Sequence, residues 1–184
     1  MEKAPLVPDS PLEVRLREIA RRVLRLCGGR SNWDVEYDFA YRNITGKRLR
    51  ILDIGWCDSL LPLAFAKAGH IVTVYDLRPY PERHRNLTVI QGDFLENQLP
   101  PCSFDAVVMV STIEHIGLGG YGAPERADAD FEIMRQLRRI LVDGGRVILT
   151  FPFNEREREL FLNLRGGTRW NGCKGYLKGG SFWM

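Results

Sequence analysis

The stretch ILDIGWCDSLLPLAFAKAGHIVTVYDL, residues 51–77, decides the fold. Its apolar runs predict a buried strand, a tight turn at Gly55, a helix, and a second strand that ends on Asp76. The same alternation continues along the chain. It predicts strands near 50–55, 71–76, 87–91, 105–111 and 146–152, and helices near 59–68, 125–141 and 154–164. Strands that alternate with helices pair in parallel, with the helices covering the sheet.

The sequence therefore predicts an α/β fold: a three-layer, Rossmann-like sandwich with a mostly parallel central sheet and helices on both faces. Residues 50–164 would form this domain. Residues 1–49 are expected to be a helical lead-in and cap, with one helix over 10–29 and a short helix within 31–48. Its aromatic residues could cover a cleft or simply pack on the core. Residues 165–184 are rich in glycine and aromatic residues, and are expected to form an irregular tail.

The amino-acid composition is ordinary for a globular domain. Of the 184 residues, 45% are hydrophobic and 27% are charged, and the net charge of +3 does not call for a nucleic-acid partner. The four cysteines form no CxxC pair, so no metal site is predicted. We find no leader and no apolar run long enough to span a membrane, and we therefore expect a cytoplasmic protein.

Polar residues stand where the predicted strands end, which is where open parallel sheets bind ligands. The first strand ends at Asp53 and Gly55. The second ends at Asp76, 21 residues after Gly55, a spacing that suits an acid bound to ribose hydroxyls. Asp93 and Phe94 follow the third strand, and the loop STIEHIGLGGYG follows the fourth.

Two cofactors compete for these strand ends. A dinucleotide needs glycines after the first strand so that its phosphates can approach the backbone, but this chain has Cys57 and Leu60 at those positions and an acid, Asp58, beside them. S-adenosylmethionine carries no phosphate, and its amino-acid end is cationic. The loop therefore favours S-adenosylmethionine over a nicotinamide dinucleotide.

Five motifs in order carry a resemblance to a known family: ILDIG, VTVYDL, QGDF, FDAVVMVSTIEHIG and LRRILVDGGRVILTFP. Together they resemble the motifs of class I S-adenosylmethionine-dependent methyltransferases, from about Arg50 to Phe153. The EHIGLGGYG loop further resembles that of a branch found near polysaccharide and glycolipid genes, in which the loop reads EHIGLGxYG.

The resemblance implies the cofactor-binding residues. Asp53 and Gly55 would hold the methionine end, Asp76 would bind the ribose, and Leu77 would lie against the adenine. Asp76 could instead be a strand-end cap.

Three further positions complete the implied cofactor site. Asp93 would meet the adenine amine, Phe94 would pack beside the ring, and Ser111 would lie under the methionine portion. An alternative interpretation makes Asp93 a turn-forming residue after Gly92.

The chain departs from the family pattern in two places. Trp56 stands after Gly55, where a small residue is usual; we include it among the cofactor-binding candidates because it would either close over the methionine end or block it. The final hairpin of the family is predicted to be short, altered or missing. An uncovered sheet edge would then favour a homodimer.

The predicted catalytic residues lie in the loop after the fourth strand. His115 has the ordinary pKa range of a general base, and Glu114 is its neighbour. Both could instead only pin the loop. Tyr121 is the candidate substrate contact.

The predicted function is transfer of a methyl group from S-adenosylmethionine to a small-molecule or glycan-linked acceptor, with S-adenosylhomocysteine as the product. The main alternative is a non-catalytic or degenerate binding module with the same fold. A nicotinamide-dependent oxidoreductase and an RNA methyltransferase are less favoured, and nucleic acid is not expected as a partner.

Overall fold

A computed structural model gives the fold, and it describes residues 32–56, 58–119 and 123–151, with the backbone alone at 32 and 33. Five strands form one sheet in the order β3-β2-β1-β4-β5, and all the pairs are parallel. The strands are β1 (Arg50–Ile54), β2 (Ile71–Asp76), β3 (Leu87–Gln91), β4 (Phe104–Val110) and β5 (Leu141–Thr150). The strand order reverses between β1 and β4, so a crevice opens there at the carboxyl edge.

Helices cover both faces of this sheet, as predicted. The α-helices are α1 (Asn32–Asn43), α2 (Leu61–Lys67) and α3 (Ala129–Ile140). Helices α1 and α2 pack on one face, and α3 packs on the other. Short 3₁₀ turns follow β3 (Phe94–Glu96) and β4 (Ile113–His115). The predicted three-layer α/β architecture is confirmed.

Successive strand residues enter opposite halves of the core. Ile51 and Val108 pack under α1 and α2, whereas Leu52, Val107 and Met109 pack under α3, and all five are fully buried. This follows from the two-residue period of a strand. Because both faces are covered, the inner strands β1 and β4 are mostly apolar and buried.

The structure corrects the boundaries around β5. The sequence predicts a helix to residue 141 and a strand from 146, but α3 ends at Ile140 and β5 begins at Leu141. The register with β4 shifts between Phe104 and Ala106, and Gly144 has φ +74°. A glycine in the left-handed region lets the extended chain bulge and resume pairing, so Gly144 and Gly145 lie inside the strand.

Helix α1 packs its aromatic residues on the core rather than over the cleft. Tyr37 and Phe39 contact the cluster beneath α2, and the Tyr41 ring stacks on Phe65 with the centroids 5.6 Å apart. The packing alternative is therefore confirmed for these three residues.

Several predictions lie outside the described residues. They are the helices over 10–29 and 154–164, the final hairpin, the tail 165–184, and Tyr121. Within the described part of the chain, the helices are too short or too polar to cross a membrane.

Candidate cofactor and active site

A cleft of about 250 Å³ opens at the carboxyl ends of β1, β2, β3 and β4, where the strand order predicts it. Its walls are mostly apolar. Seven of the residues predicted from the sequence line it: Gly55, Asp76, Leu77, Asp93, Phe94, Ser111 and His115. The structure therefore brings together predicted residues that are up to 60 positions apart in the chain, since these seven run from Gly55 to His115.

Asp76 ends β2 with its carboxylate 8% exposed. Backbone N–H groups hold both oxygens: Trp56 donates to Oδ2 at 3.1 Å, and Arg78 donates to Oδ1 at 2.8 Å. Burial raises the pKa of Asp76, and the hydrogen bonds and charge of Arg78 oppose that rise. Asp76 therefore caps the adjacent turns and also faces the cleft, so the two interpretations of its role are compatible.

Asp93 and Phe94 line the cleft at the end of β3. The Asp93 Oδ1 atom accepts from the N–H of Leu95 at 2.9 Å, which starts the 3₁₀ turn, and Oδ2 lies 3.9 Å from the guanidinium of Arg126. Phe94 is buried edge-on against Tyr75, with the ring centroids 5.4 Å apart. Asp93 thus forms the turn while its second oxygen is left for a ligand and for Arg126.

Gly55 is required by the packing of the chain on itself. Its φ is +72°, and a Cβ placed there would lie 2.3 Å from Cγ2 of Thr112. Thr112 Oγ1 lies 2.9 Å from the carbonyl of Val110 and 3.2 Å from that of Gly55, so its proton is shared between them. The contact that excludes a side chain here comes from the loop after β4, which joins the two sides of the cleft.

Trp56 does not occupy either of its expected positions. Its side chain is 5% exposed and packs in the core against Tyr80, with the rings edge-on and their centroids 5.2 Å apart. It neither closes over the cleft nor blocks it, because the turn at Gly55 directs the indole inward. Only its backbone N–H, which donates to Asp76, takes part in the cleft.

Asp53 lies beneath the cleft floor, inside the sheet. Burial raises the pKa of its carboxyl to about 8, and the charge of Asp76 adds to the effect. At neutral pH the group is therefore mostly protonated. It can approach Asp76 without a second full negative charge.

A network that the sequence did not predict joins α1 to the β4–β5 side of the cleft. The Glu36 Oε2 atom accepts from Ser111 Oγ at 2.8 Å and from Thr150 Oγ1 at 3.1 Å. Ser111 has φ +43°, and its N–H donates to Thr150. Glu36 thus fixes the residue that begins the predicted catalytic loop. No local pattern could reveal this, since Glu36 and Thr150 are 114 positions apart.

The two predicted catalytic residues are placed differently. His115 lines the cleft, and burial lowers the pKa of its imidazole, so the neutral form predominates at pH 7. Glu114 is absent from the described lining, and its Oε2 is buried without a hydrogen-bond partner among the described residues. Burial and, to a smaller extent, the negative charge of Glu36 raise the pKa of Glu114 to about 7.

Arg78 is a second residue that the sequence analysis missed. It lines the cleft and pairs with two acids, Asp58 at 3.2 Å and Asp76 at 3.5 Å. A cation two positions after the acid that ends β2 is a signal that was readable in the motif YDLRP. At the start of α2, Asp58 pairs with Arg78, and Ser59 Oγ accepts from the N–H of Leu61 at 3.3 Å.

The residues present fit S-adenosylmethionine better than a phosphate-bearing cofactor. Asp76 and Asp93 line the cleft at the ends of adjacent strands, where a carboxylate can accept hydrogen bonds from a ligand. The loop between β1 and α2 carries Asp58 and a buried tryptophan, and Pro62 lies in the first turn of α2, without an N–H to donate. Such a loop is poorly suited to bind a pyrophosphate.

The fold and the cleft define a Rossmann-like, cofactor-binding α/β domain. The sequence profile described as "methyltransferase domain" matches residues 52–149, more than half of the chain, and the chain belongs to this family. The family and the fold support S-adenosylmethionine as the cofactor.

Three individual proteins illustrate the likeness. A protein of Encephalitozoon cuniculi that carries the name of a methyltransferase is 33% identical over 81 residues, 44% of this chain and 35% of that protein. The chain thus spans about a third of the curated relative it matches.

Two solved structures share the fold. A structure from Methanococcus maripaludis, described as an S-adenosylmethionine-dependent methyltransferase, aligns with TM-score 0.62 and 14% identity, covering 100% of this chain and 94% of that one. The 1,6-didemethyltoxoflavin-N1-methyltransferase of Burkholderia thailandensis, solved with 1,6-didemethyltoxoflavin and S-adenosylhomocysteine, aligns with TM-score 0.54 and 19% identity, covering 84% and 69%.

Proposed function

We propose that this chain is an S-adenosylmethionine-dependent methyltransferase whose acceptor is a small molecule or a glycan-linked group. The observation that carries the proposal is the position of Asp76 and Asp93, which line an apolar cleft at the ends of adjacent strands. The segment between β1 and α2 that borders this cleft is poorly suited to bind a phosphate. The family match favours a methyltransferase over a nicotinamide-dependent oxidoreductase.

The ribose and adenine of the cofactor are assigned to residues at the ends of β2 and β3. Asp76 accepts from the ribose hydroxyls, while Asp93 accepts from the adenine amine. Leu77 and Phe94 enclose the adenine ring. These assignments agree with the burial of Phe94 and with the free oxygen of Asp93.

The methionine end is assigned to the residues between β1 and β4. Gly55 lines the cleft, Asp53 lies beneath its floor, and Ser111 lines the cleft at the end of β4. Trp56 contributes its backbone N–H through Asp76 rather than its ring.

The bound cofactor supplies an electrophilic methyl group on a sulfonium. The acceptor oxygen or nitrogen forms a bond to that carbon as the carbon–sulfur bond breaks, and S-adenosylhomocysteine leaves. His115 takes the acceptor proton, since it lines the cleft and is neutral at pH 7. Glu114 is assigned a secondary role, because its carboxyl lies behind the cleft wall, and Tyr121 remains the proposed acceptor contact.

The acceptor class rests on the EHIGLGGYG loop, whose likeness to the branch found near polysaccharide and glycolipid genes remains a proposal. The division at residues 49 and 164, a cytoplasmic location and a homodimer through a sheet edge also remain proposals. Nucleic acid is not proposed as a partner.

Calorimetric titration of the full chain with S-adenosylmethionine, and separately with NADH, tests the proposal. We expect a Kd of about 10 μM or below for the first, no binding of NADH, and loss of binding in Asp76→Ala. Asp143→Ala, which removes an exposed acid of β5, is the matched control and should bind like the parent. Failure of the parent to bind S-adenosylmethionine would overturn the proposal.

Turnover separates the enzyme from the non-catalytic module. The chain is incubated with S-adenosylmethionine and pools of small hydroxylated or aminated acceptors and glycans, and S-adenosylhomocysteine release is measured. Acceptor-dependent release that His115→Asn reduces by about 10²-fold or more supports the enzyme. Tight cofactor binding without release on any pool would favour the binding module.

A further inference from the structure

Arg78 links the unusual loop after β1 to the acid that ends β2. Its Nη1 lies 3.2 Å from Asp58 Oδ1, and its Nε lies 3.5 Å from Asp76 Oδ1. Its backbone N–H also donates to Asp76 Oδ1 at 2.8 Å. The three side chains are 20%, 10% and 8% exposed, so these charges interact with less solvent screening than a surface pair.

The same guanidinium lies on the buried tryptophan. Arg78 Cζ is 4.9 Å from the centroid of the Trp56 ring, and the Tyr80 ring packs against the same indole in a T-shaped contact. A cation over an indole is an attractive contact, and burial strengthens it. Trp56, Asp58, Asp76 and Arg78 thus form one connected group, which we call the Arg78 cluster.

The Arg78 cluster stands where this chain lacks a glycine-rich loop. Asp58 has φ +54°, a left-handed conformation that glycine adopts freely and aspartate adopts at a cost of about 1 kcal/mol. The ion pair with Arg78 is a contact that can hold Asp58 in that conformation. Side-chain contacts therefore fix a loop that glycines would otherwise shape.

We propose that Arg78 is a positioning residue for the cofactor: it holds Asp58 and the Asp76 carboxylate in the arrangement that binds the ribose. This inference rests on the proposed function. Arg78 acts through Asp76, and its planar fork suits the task because it reaches two carboxylates while its face lies on the indole.

The charge balance explains why Arg78 is needed. The titratable or charged groups that face Asp76 in the described structure are Asp53 from β1, Asp58 from the loop, and Arg78 itself. Without the guanidinium, three acids would share this end of the sheet, and the pKa of Asp76 would rise. A protonated Asp76 is a poorer acceptor for ribose hydroxyls, so cofactor binding would weaken most at low pH.

The experiment compares Arg78→Gln, Arg78→Lys and a matched control, Arg83→Gln, which removes an exposed arginine of the same segment. Circular dichroism checks folding. Calorimetry then gives the Kd of S-adenosylhomocysteine at about pH 6 and about pH 9, since Asp76 should be more fully ionised at the higher pH. Carboxyl-carbon NMR titration of Asp76, assigned with Asp76→Asn, supplies a readout that needs no cofactor.

We expect Arg78→Gln to raise the Kd by about 30-fold near pH 6 and by about 5-fold near pH 9, with the Asp76 titration shifted upward by about one unit. Arg78→Lys keeps the charge but lacks the planar fork, so it should recover only part of the affinity, and it is the fallback if Arg78→Gln does not fold. Arg83→Gln should match the parent.

Three outcomes would overturn the inference. A Kd for Arg78→Gln within twofold of the parent at both pH values would do so, as would an equal loss at both together with an unshifted Asp76 titration, which indicates a purely structural role. A parent that binds neither S-adenosylmethionine nor its product removes the proposed function first, and the inference with it.

Discussion

On the β1–β3 side of the cleft, the two acidic side chains that line it are compensated, meaning that backbone N–H groups and arginines lie beside their carboxylates. Asp76 accepts from two N–H groups and pairs with Arg78, and Asp93 accepts from an N–H and lies near Arg126. On the β4–β5 side, Glu114 has a buried oxygen without a described hydrogen-bond partner and is repelled by Glu36.

The difference separates two kinds of task. A carboxylate held by fixed donors is a stable acceptor for hydroxyls and amines of a constant ligand. A carboxyl whose pKa lies near 7 can change its protonation state within the working pH range. The first arrangement suits cofactor binding, and the second suits proton movement during transfer. Asp53, beneath the floor, belongs by its pKa to the second kind although it lies in β1.

The largest expected effect is on the pH dependence of stability, and it tests whether the Asp53 carboxyl has a raised pKa although it lies on the compensated side. Its native pKa of about 8 exceeds its ordinary value, so the folded chain binds the proton more tightly than the unfolded chain. Stability should therefore fall as the pH rises from about 4 to about 8, by of the order of 5 kcal/mol. Asp53→Asn should remove most of this slope in urea unfolding at a series of pH values. If Asp53→Asn leaves the slope unchanged, the pKa of Asp53 is not raised in the folded chain. Asp143→Asn is the control.

The next effect tests the contact that joins the two sides. Gly55→Ala would place a methyl group against Thr112 at a positive φ, so we expect a loss of about 3 kcal/mol in the free energy of unfolding. Gly69→Ala is the matched control, because Gly69 has φ +95° and no atom lies within 4 Å of the point that its new methyl group would occupy. It should cost about 1 kcal/mol, the backbone strain alone.

Thermal melting measures both glycine variants. Adding Thr112→Ser to Gly55→Ala removes the atom nearest to the new methyl and should recover part of the loss. Equal melting temperatures for Gly55→Ala and Gly69→Ala would mean that the two sides do not meet as closely as the structure shows.

The next prediction, with a smaller expected effect on stability, tests the repulsion between Glu36 and Glu114 on the β4–β5 side. Removing the charge of Glu36 in Glu36→Gln should lower the pKa of Glu114. Because a raised carboxyl pKa costs stability as the pH rises through it, the variant should lose less stability than the parent between about pH 5 and pH 8. Glu114 is only partly buried, so solvent screening limits the gain to about 1 kcal/mol. Carboxyl NMR titration of Glu114 measures the shift directly, and no downward shift would contradict the repulsion.

The smallest expected effect concerns the tryptophan ring. Trp56→Phe keeps an aromatic ring beside Arg78 and Tyr80, and removes an indole N–H that is buried without a described hydrogen-bond partner. The lost contact area and the removed desolvation cost should nearly cancel, leaving stability within about 1 kcal/mol and cofactor Kd within about threefold. A loss of binding above about tenfold would mean that the ring, and not only the backbone of Trp56, serves the cleft.

The site could be predicted from the sequence wherever its residues follow a strand directly. Asp76, Asp93 and Ser111 were identified because a buried strand in an open sheet ends where ligands bind. Trp56 was misplaced, because sequence position does not show which way a side chain leaves a turn. Arg78 and Glu36 were missed, because their importance lies in partners on other elements.

The sequence by itself determined the layers, the parallel sheet and the line of strand-end acids, since local apolar periodicity and chain order carry that information. The tertiary structure alone decided which acids are compensated. Whether a carboxyl is ionised depends on burial and on charges brought from distant positions, as Arg78 does for Asp76 and Glu36 does for Glu114. These side chains come close to one another only when the chain has folded.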